Sequence, residues 1–294
     1  MIEQGVVFPV VGGKKYRNAL LDPTYMPMAR PELPAEFAKV AGGGEEAVLR
    51  FVRWYGLLGY PDALTELEAS LLMLVKDNKA TADPIIALDK KYDPRLEGDP
   101  VAWILAHAET VKLAGELAAA LPRPGAVQAL LERRLVQQPS WQEISYARAT
   151  RGWTRPHQAG IVFPGHPIGP KGGWEPAALR IVADILNANL GGVRRAVSLE
   201  EKPLRVVSLF QPRNLLDCIY WLLADAVTGE QLRQCPECGH FFVATTDRMK
   251  YCPPARGADG PSRCMHRAKV RRWRKGQREG KPGRKGRRSQ RRPR

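Results

Sequence analysis

The sequence predicts an α+β fold: a mainly helical body with one β-hairpin, followed by a small four-cysteine module and a disordered basic tail. Three observations indicate this class. Apolar residues recur at helical spacing through much of residues 1–150. Four of the five cysteines lie within 235–264, and residues 276–294 contain no aliphatic or aromatic side chain. A segment of that composition cannot bury a core, so the tail is expected to be disordered.

The chain divides where its composition changes. A stretch rich in glycine and proline follows residue 150, and the first cysteine pair comes shortly after the last apolar helix of the body. The resulting units are a helical N-terminal domain (1–150), a loop, β-hairpin and helices that continue the body (151–232), a finger with a basic helix (233–275) and a basic tail (276–294).

Helices are expected to dominate the first unit, with a short strand only at 6–11. Asp99 and Pro100 predict one helix start, because aspartate caps helix N-termini and proline suits the first helical position. That helix is expected to run to Leu121 and to end at Pro122. The apolar periodicity predicts further helices over 45–58, 64–75, 126–136 and 140–149.

The second unit opens with a different composition. Residues 150–176 are rich in glycine, proline, tryptophan and histidine and are expected to form a long structured loop. A helix over 176–190, a β-hairpin of strands 193–199 and 204–210, and an apolar helix over 214–227 follow.

Positive charge is concentrated at one end of the chain. The formal net charge is +16, from 46 basic and 30 acidic residues. Residues 233–294 contain 20 of those basic and 4 of those acidic residues, so the remainder is neutral on balance. A neutral body with a cationic end predicts an anionic polymer as partner.

The cysteine spacing predicts a structural zinc site. Two residues separate Cys235 from Cys238, so both thiolates can bind one ion from a tight turn, and Gly239 suits that turn. Cys252 and Cys264 complete a set of four. Four thiolates close the tetrahedral coordination sphere of Zn²⁺ and leave no open position for catalysis.

The fourth ligand is the least defined by spacing. Eleven residues rich in glycine, proline and charge separate Cys252 from Cys264. His240 and His266 both lie close enough in sequence to compete as ligands. Cys264 is favoured over His240, which directly follows the glycine of the turn, and His266 is the main alternative.

A basic helix is predicted to start at the last cysteine. Four of its arginines are spaced at i, i+4, i+7 and i+11 and would form one stripe, since residues at these positions share a helix face. Guanidinium groups bind phosphates and can pair bidentately with guanine edges. We expect Ala268 and Trp273 to pack back on the finger. The candidate nucleic-acid-binding residues are Arg267, Lys269, Arg271, Arg272, Arg274, Lys275 and Arg278.

These residues resemble a known family. The string Cys-x2-Cys-Gly, Phe, Tyr-Cys and Cys-x-x-Arg-Ala-Lys-Val-Arg-Arg-Trp-Arg is similar to the C-terminal CGNR-type zinc finger of bacterial stress-induced transcription regulators, whose N-terminal part is called the ABATE domain. The family's Cys-Gly-Asn-Arg corresponds here to Cys264, Met265, His266 and Arg267. Related bacterial proteins share a helix, an Arg-x-Cys-x-x-Cys-Gly turn and a Cys-Arg ending. The resemblance implies a DNA-binding regulator.

The sequence thus predicts a cytoplasmic bacterial protein that binds duplex DNA through a finger folded around Zn²⁺ and its basic helix. It would be a transcription regulator whose body senses a small molecule or mediates assembly. No apolar run approaches the length of a membrane span, and no membrane partner is expected. The alternative is a module for RNA or protein binding in which zinc is purely structural and no sequence is read.

No catalytic residues are predicted, and the chain is not expected to be an enzyme. Cys218 lies in an apolar helix without a basic neighbour to lower its pKa, so a buried small side chain is expected there. His157 and His166 in the glycine- and proline-rich stretch are interpreted as parts of a packed loop.

Overall fold

The computed structural model describes residues 2–3, 6–7, 10–11, 14–15, 27–60, 98–150, 157–164, 173–201, 204–254 and 260–278. The helix predicted over 64–75 and most of the basic tail lie outside these residues. The described helices are α1 (Leu33–Ala38), α2 (Gly44–Tyr55), α3 (Val101–Ala120), α4 (Pro124–Glu132), α5 (Trp174–Asn189), α6 (Leu215–Thr228) and α7 (Arg263–Arg278).

Small antiparallel sheets accompany these helices. They pair as β1–β2–β5, β3–β4, β6–β7–β8, β9–β10 and β11–β12. Their strands are β1 (Ile2–Glu3), β2 (Val6–Val7), β3 (Val10–Val11), β4 (Lys14–Lys15), β5 (Asp99–Pro100), β6 (Leu135–Gln137), β7 (Trp141–Arg148), β8 (His157–Pro164), β9 (Val193–Glu201), β10 (Leu204–Pro212), β11 (Leu232–Gln234) and β12 (Phe241–Val243).

Several predicted elements are confirmed. The expected hairpin forms from β9 and β10, with Leu204 opposite Glu201 at its closed end. The helices expected over 176–190 and 214–227 are α5 and α6. Asn214 caps α6, because its side-chain oxygen accepts a hydrogen bond of 3.0 Å from the Asp217 amide.

The prediction of a single β-hairpin is wrong, and so is the helix predicted over 140–149. Residues 141–148 form β7, the central strand of a three-stranded sheet. Gln142, Ile144 and Tyr146 are buried along it, which is the two-residue period of a strand with one covered face. The helix predicted over 126–136 also ends early, at Glu132, and its last residues join β6.

The loop predicted over 150–176 contains a strand. β8 pairs with β7 along its full length, with Trp141 opposite Pro164 and Arg148 opposite His157. Behind the sheet, the Tyr146 hydroxyl donates a hydrogen bond of 2.7 Å to Asp184 of α5. Residues on both sides of position 150 therefore share one sheet and one hydrophobic core.

The interpretation of Asp99 as a helix cap is wrong. The α3 helix starts at Val101 with no side-chain cap. The fully buried Asp99 carboxylate instead accepts hydrogen bonds from three backbone amides in the chain after α2, those of Leu58, Gly59 (3.2 Å) and Tyr60 (2.7 Å). A buried carboxylate needs such donors, and here it joins the end of α2 to the start of α3.

The α3 helix is the centre of the body. Trp103, Ile104 and Leu117 along it are fully buried, and the helix packs against α1, α2, α5 and α6. We call this cluster of buried side chains the body core. It extends into the C-terminal part of the chain, because it also includes Leu232 of β11 and Phe241 of β12.

Gly115 of α3 lies directly against Phe241 of the finger. A Cβ atom placed on Gly115 would lie 2.4 Å from two ring carbons of Phe241. No real side chain fits at that distance, so the contact between α3 and β12 requires glycine. Gly115 was not among the residues predicted from sequence, because its partner is more than 100 residues away in the chain.

We predict that Gly115→Ala destabilises the protein. Overpacking costs about 1–3 kcal/mol, against the roughly 1 kcal/mol that alanine gains over glycine inside a helix. The matched control is Gly125→Ala in α4, where an added Cβ meets nothing within 4 Å. Urea unfolding should show a lower free energy of unfolding only for Gly115→Ala. Equal stability of the two variants would contradict this packing.

Candidate metal centre and basic helix

The β11–β12 hairpin connects the finger to the body. Side chains alternate across a strand, so successive residues of β12 face opposite sides. Phe241 and Val243 belong to the body core. Phe242 packs on the other side with Cys235, Cys252 and the following Ala244, a cluster that we call the finger core.

A tight turn between these strands presents the first two thiols. The Cys235 amide donates to the His240 carbonyl and the Gly239 amide donates to the Cys235 carbonyl, both at 2.9 Å. Gly239 has φ +75°, a left-handed conformation that favours glycine. The Gln234 side chain also donates to the Gly239 carbonyl at 2.9 Å. These bonds hold Cys235 and Cys238 on the same side of the turn.

The structure brings four cysteines together. The sulfur atoms of Cys235, Cys238, Cys252 and Cys264 all lie within 4.8 Å of one another, and those of Cys238 and Cys252 are 3.5 Å apart. All five cysteines of the chain are unpaired thiols. Four sulfurs at non-bonded distances around one point could hold a metal ion.

The fifth cysteine takes no part in this cluster. Cys218 is buried in α6 within the body core, as expected from its apolar surroundings. Burial raises the pKa of its thiol to about 12, which keeps it protonated at neutral pH.

The electrostatics of the cluster favour a bound cation. Burial raises the pKa of Cys252 and Cys264, and the neighbouring thiols raise it further, to about 11 for Cys264. Burial also acts on Cys235, but backbone hydrogen bonds, chiefly at Cys252 and Glu237, outweigh it and lower the pKa to about 7. Four thiols so close to one another cannot all be ionised unless a positive ion compensates their charge.

Cys264 belongs to the cluster because of how α7 begins. Ser262 is buried, and its hydroxyl accepts a hydrogen bond of 3.1 Å from the Met265 amide in the first helical turn. Cys264 lies in that turn, beside the other three thiols. His240 and His266, the alternatives left open by spacing, are both exposed and lie outside the cluster.

Two further contacts hold α7 against the finger. The Arg271 guanidinium donates to the Glu237 carboxylate at 2.8 Å, and Glu237 lies between the first two cysteines. Ala268 is buried, as expected. The expectation that Trp273 packs on the finger is wrong, because its side chain is 63% exposed.

The cationic residues of α7 are largely exposed. The predicted stripe is not uniform, since Arg271 is the residue that pairs with Glu237. Arg272 also donates to the Ala268 carbonyl at 3.4 Å. Arg278 is the last residue of the helix. The exposed cationic side chains of α7 among the described residues include Arg267, Lys269, Arg271, Arg272, Arg274 and Lys275.

Two residues of this site, Glu237 and Ser262, were not predicted from sequence. Glu237 is an acidic residue between two cysteines of a basic segment. That contrast in charge could have suggested that Glu237 pairs with an arginine of the helix. Ser262, just before the helix, matches the preference for serine at helix N-caps. Both fix the direction in which α7 leaves the cysteine cluster.

Comparisons with known proteins add no assignment. Searches against protein-family models, curated proteins and solved structures found no match to this chain. In the described part of the chain, no helix combines the length and apolar character needed to cross a bilayer. The resemblance to CGNR-type fingers therefore stays a prediction that rests on the residues quoted above.

We predict that the purified protein binds one metal ion per chain and that Cys264→Ser impairs this binding. The matched control is His266→Ala, which changes the competing ligand in the same turn and should keep a full complement of metal. Inductively coupled plasma mass spectrometry after dialysis measures the ratio. Full metal in Cys264→Ser together with loss in His266→Ala would reassign the fourth ligand.

Metal affinity should rise with pH. Burial raises the pKa of Cys252 and Cys264 further above neutrality, so both carry protons in the metal-free protein and release them when a metal binds. The release of at least these two protons corresponds to an affinity that rises by a factor of about 100 or more per pH unit. Competition with a calibrated chelating dye at several pH values measures this slope. A pH-independent affinity would show that the thiols are not the ligands.

Proposed function

We propose that the four cysteines bind Zn²⁺ as a structural ion. Zinc–sulfur bonds of about 2.3 Å place the sulfurs of a tetrahedron about 3.8 Å apart. The sulfur atoms here are compatible with that spacing, since all lie within 4.8 Å of one another and those of Cys238 and Cys252 are 3.5 Å apart. Four thiolates suit this borderline-soft ion and leave no position for water or substrate.

We further propose that the protein binds nucleic acid, and specifically duplex DNA, as a zinc-dependent transcription regulator. The observation that carries this proposal is that a cationic helix starts at the metal centre and is held there by several independent contacts. Cys264 would fix its first turn through the metal, Ser262 caps it, and Arg271 pairs with the turn that holds the first two thiols.

The charge of α7 supports a polyanionic partner. The helix contains no aspartate or glutamate, and basic residues make up half of its sequence. Exposed cations bind phosphates and release counterions. The body is neutral on balance and does not itself require such a cationic helix.

Between Arg263 and Arg278 the helix contains six arginines and two lysines. Eight cations in 16 residues is the charge that a polyanion would neutralise.

The geometry of α7 favours a duplex over a single strand. A helix of 16 residues is about 24 Å long, and the major groove of B-DNA is about 12 Å wide and admits an α-helix. A rigid helix that projects from a folded base suits that groove. The major groove of an RNA duplex is too narrow for side chains to reach the bases.

For the body, we propose a sensing or assembly role and no catalysis.

Selection from a random duplex DNA library tests this proposal. The zinc-loaded protein should enrich a sequence motif at physiological salt, and a chelator that removes the metal should abolish the enrichment. Preference for structured RNA or for an acidic protein would favour the alternative, in which the module reads no DNA sequence. Absence of duplex binding even at low salt would reject the proposal.

We predict that Arg267→Gln lowers the salt dependence of DNA binding. Each lost phosphate contact removes about 0.9 from the slope of log affinity against log salt concentration. Arg180→Gln is the matched control, because Arg180 is an exposed arginine of α5 in the body. Fluorescence anisotropy over a salt series measures both slopes. Equal slopes for Arg267→Gln and the unchanged protein would show that Arg267 makes no phosphate contact.

A further inference from the structure

Trp273 is the most exposed of the large apolar side chains in the described part of the chain. Its exposed fraction is 63%, against 54% for Trp54 of α2. Indole is the largest side chain and is usually buried on at least one face. A tryptophan left in solvent within a cationic helix therefore has no role in the core.

Helix geometry places Trp273 on the side of α7 that faces away from the finger. Nine residues separate it from Cys264, which is two and a half turns, so the two side chains leave the helix in opposite directions. Cys264 points to the other thiols. Lys269 and Gln277 lie four residues before and after Trp273 and are also exposed, so they share its face.

The surroundings of Trp273 match nucleic acid better than an apolar partner. Arg272 and Arg274 flank it in sequence, and both are exposed. The helix has no acidic residue, so a partner must be anionic around the site where it receives the indole. Duplex DNA offers this combination, because phosphates line the major groove and the apolar C5-methyl group of thymine lies on its floor.

We propose that Trp273 determines the sequence specificity of α7, with its indole against the C5-methyl group of thymine in the major groove. This inference rests on the proposed binding of duplex DNA. Apolar side chains contact that methyl group, which is the only apolar group that bases present in the groove. Gln277 on the same face can pair bidentately with adenine, so the preferred site contains A·T pairs.

Trp273→Ala tests this role against the selected DNA site. Its affinity for that site should fall about tenfold, the discrimination expected of one good base contact. Its affinity for unrelated duplexes and its salt slope should not change, since no phosphate contact is lost. Trp273→Phe should retain most of the affinity, and Trp54→Ala, the matched exposed tryptophan of the body, should retain all of it. Metal content shows that the finger of each variant is intact, and urea unfolding shows that the body is folded.

Replacing thymine by uracil in the selected site removes only the methyl group. This change should weaken binding by the unchanged protein and leave binding by Trp273→Ala unaffected, because the contact is already absent. Equal weakening in both proteins would overturn the inference, as would a Trp273→Ala variant that loses affinity equally for all duplexes. Binding by the unchanged protein without any motif would also overturn it while leaving DNA binding intact. No duplex binding by that protein would reject the proposed function itself.

Discussion

One three-residue strand joins two hydrophobic cores, and the position of the finger depends on it. β12 directs Phe241 and Val243 into the body core and Phe242 into the finger core. The Phe241 ring lies so close to α3 that only Gly115 leaves room for it. Because side chains alternate along a strand, neither core can shift without moving the other. The hairpin that carries the cysteine turn therefore packs directly against the body and is not attached through a flexible linker.

The cysteine cluster links the position of the finger to that of α7. The finger core contains few apolar side chains besides Phe242, too few to fold a segment alone, so a bound ion would supply much of the stability of the finger. Cys264 lies in the first turn of α7 and Arg271 pairs with Glu237 two turns later, which fixes both the start and the direction of the helix. The consequence is a cationic helix whose outward face has a defined orientation relative to the body.

Local sequence spacing predicted the part of the site that depends on neighbours in the chain. Cys235 and Cys238 are near in sequence, and an apolar helix such as α6 carries its own periodicity. Features that depend on distant residues were missed. The buried Asp99 was interpreted as a helix cap. The β7 strand was interpreted as a helix because its run of alternating apolar residues is short. Trp273 was expected to pack inward, since sequence shows that a side chain is apolar but not which face of a helix the fold leaves open.

Hydrogen–deuterium exchange of the protein with and without its metal tests most directly whether the ion holds α7 in place. We expect removal of the metal to speed exchange in residues 235–252 and in the first turns of α7, while α3 and α6 in the body core stay protected. Unchanged protection of α7 after the metal is removed would contradict the central claim, because the helix would then be positioned without the thiol cluster.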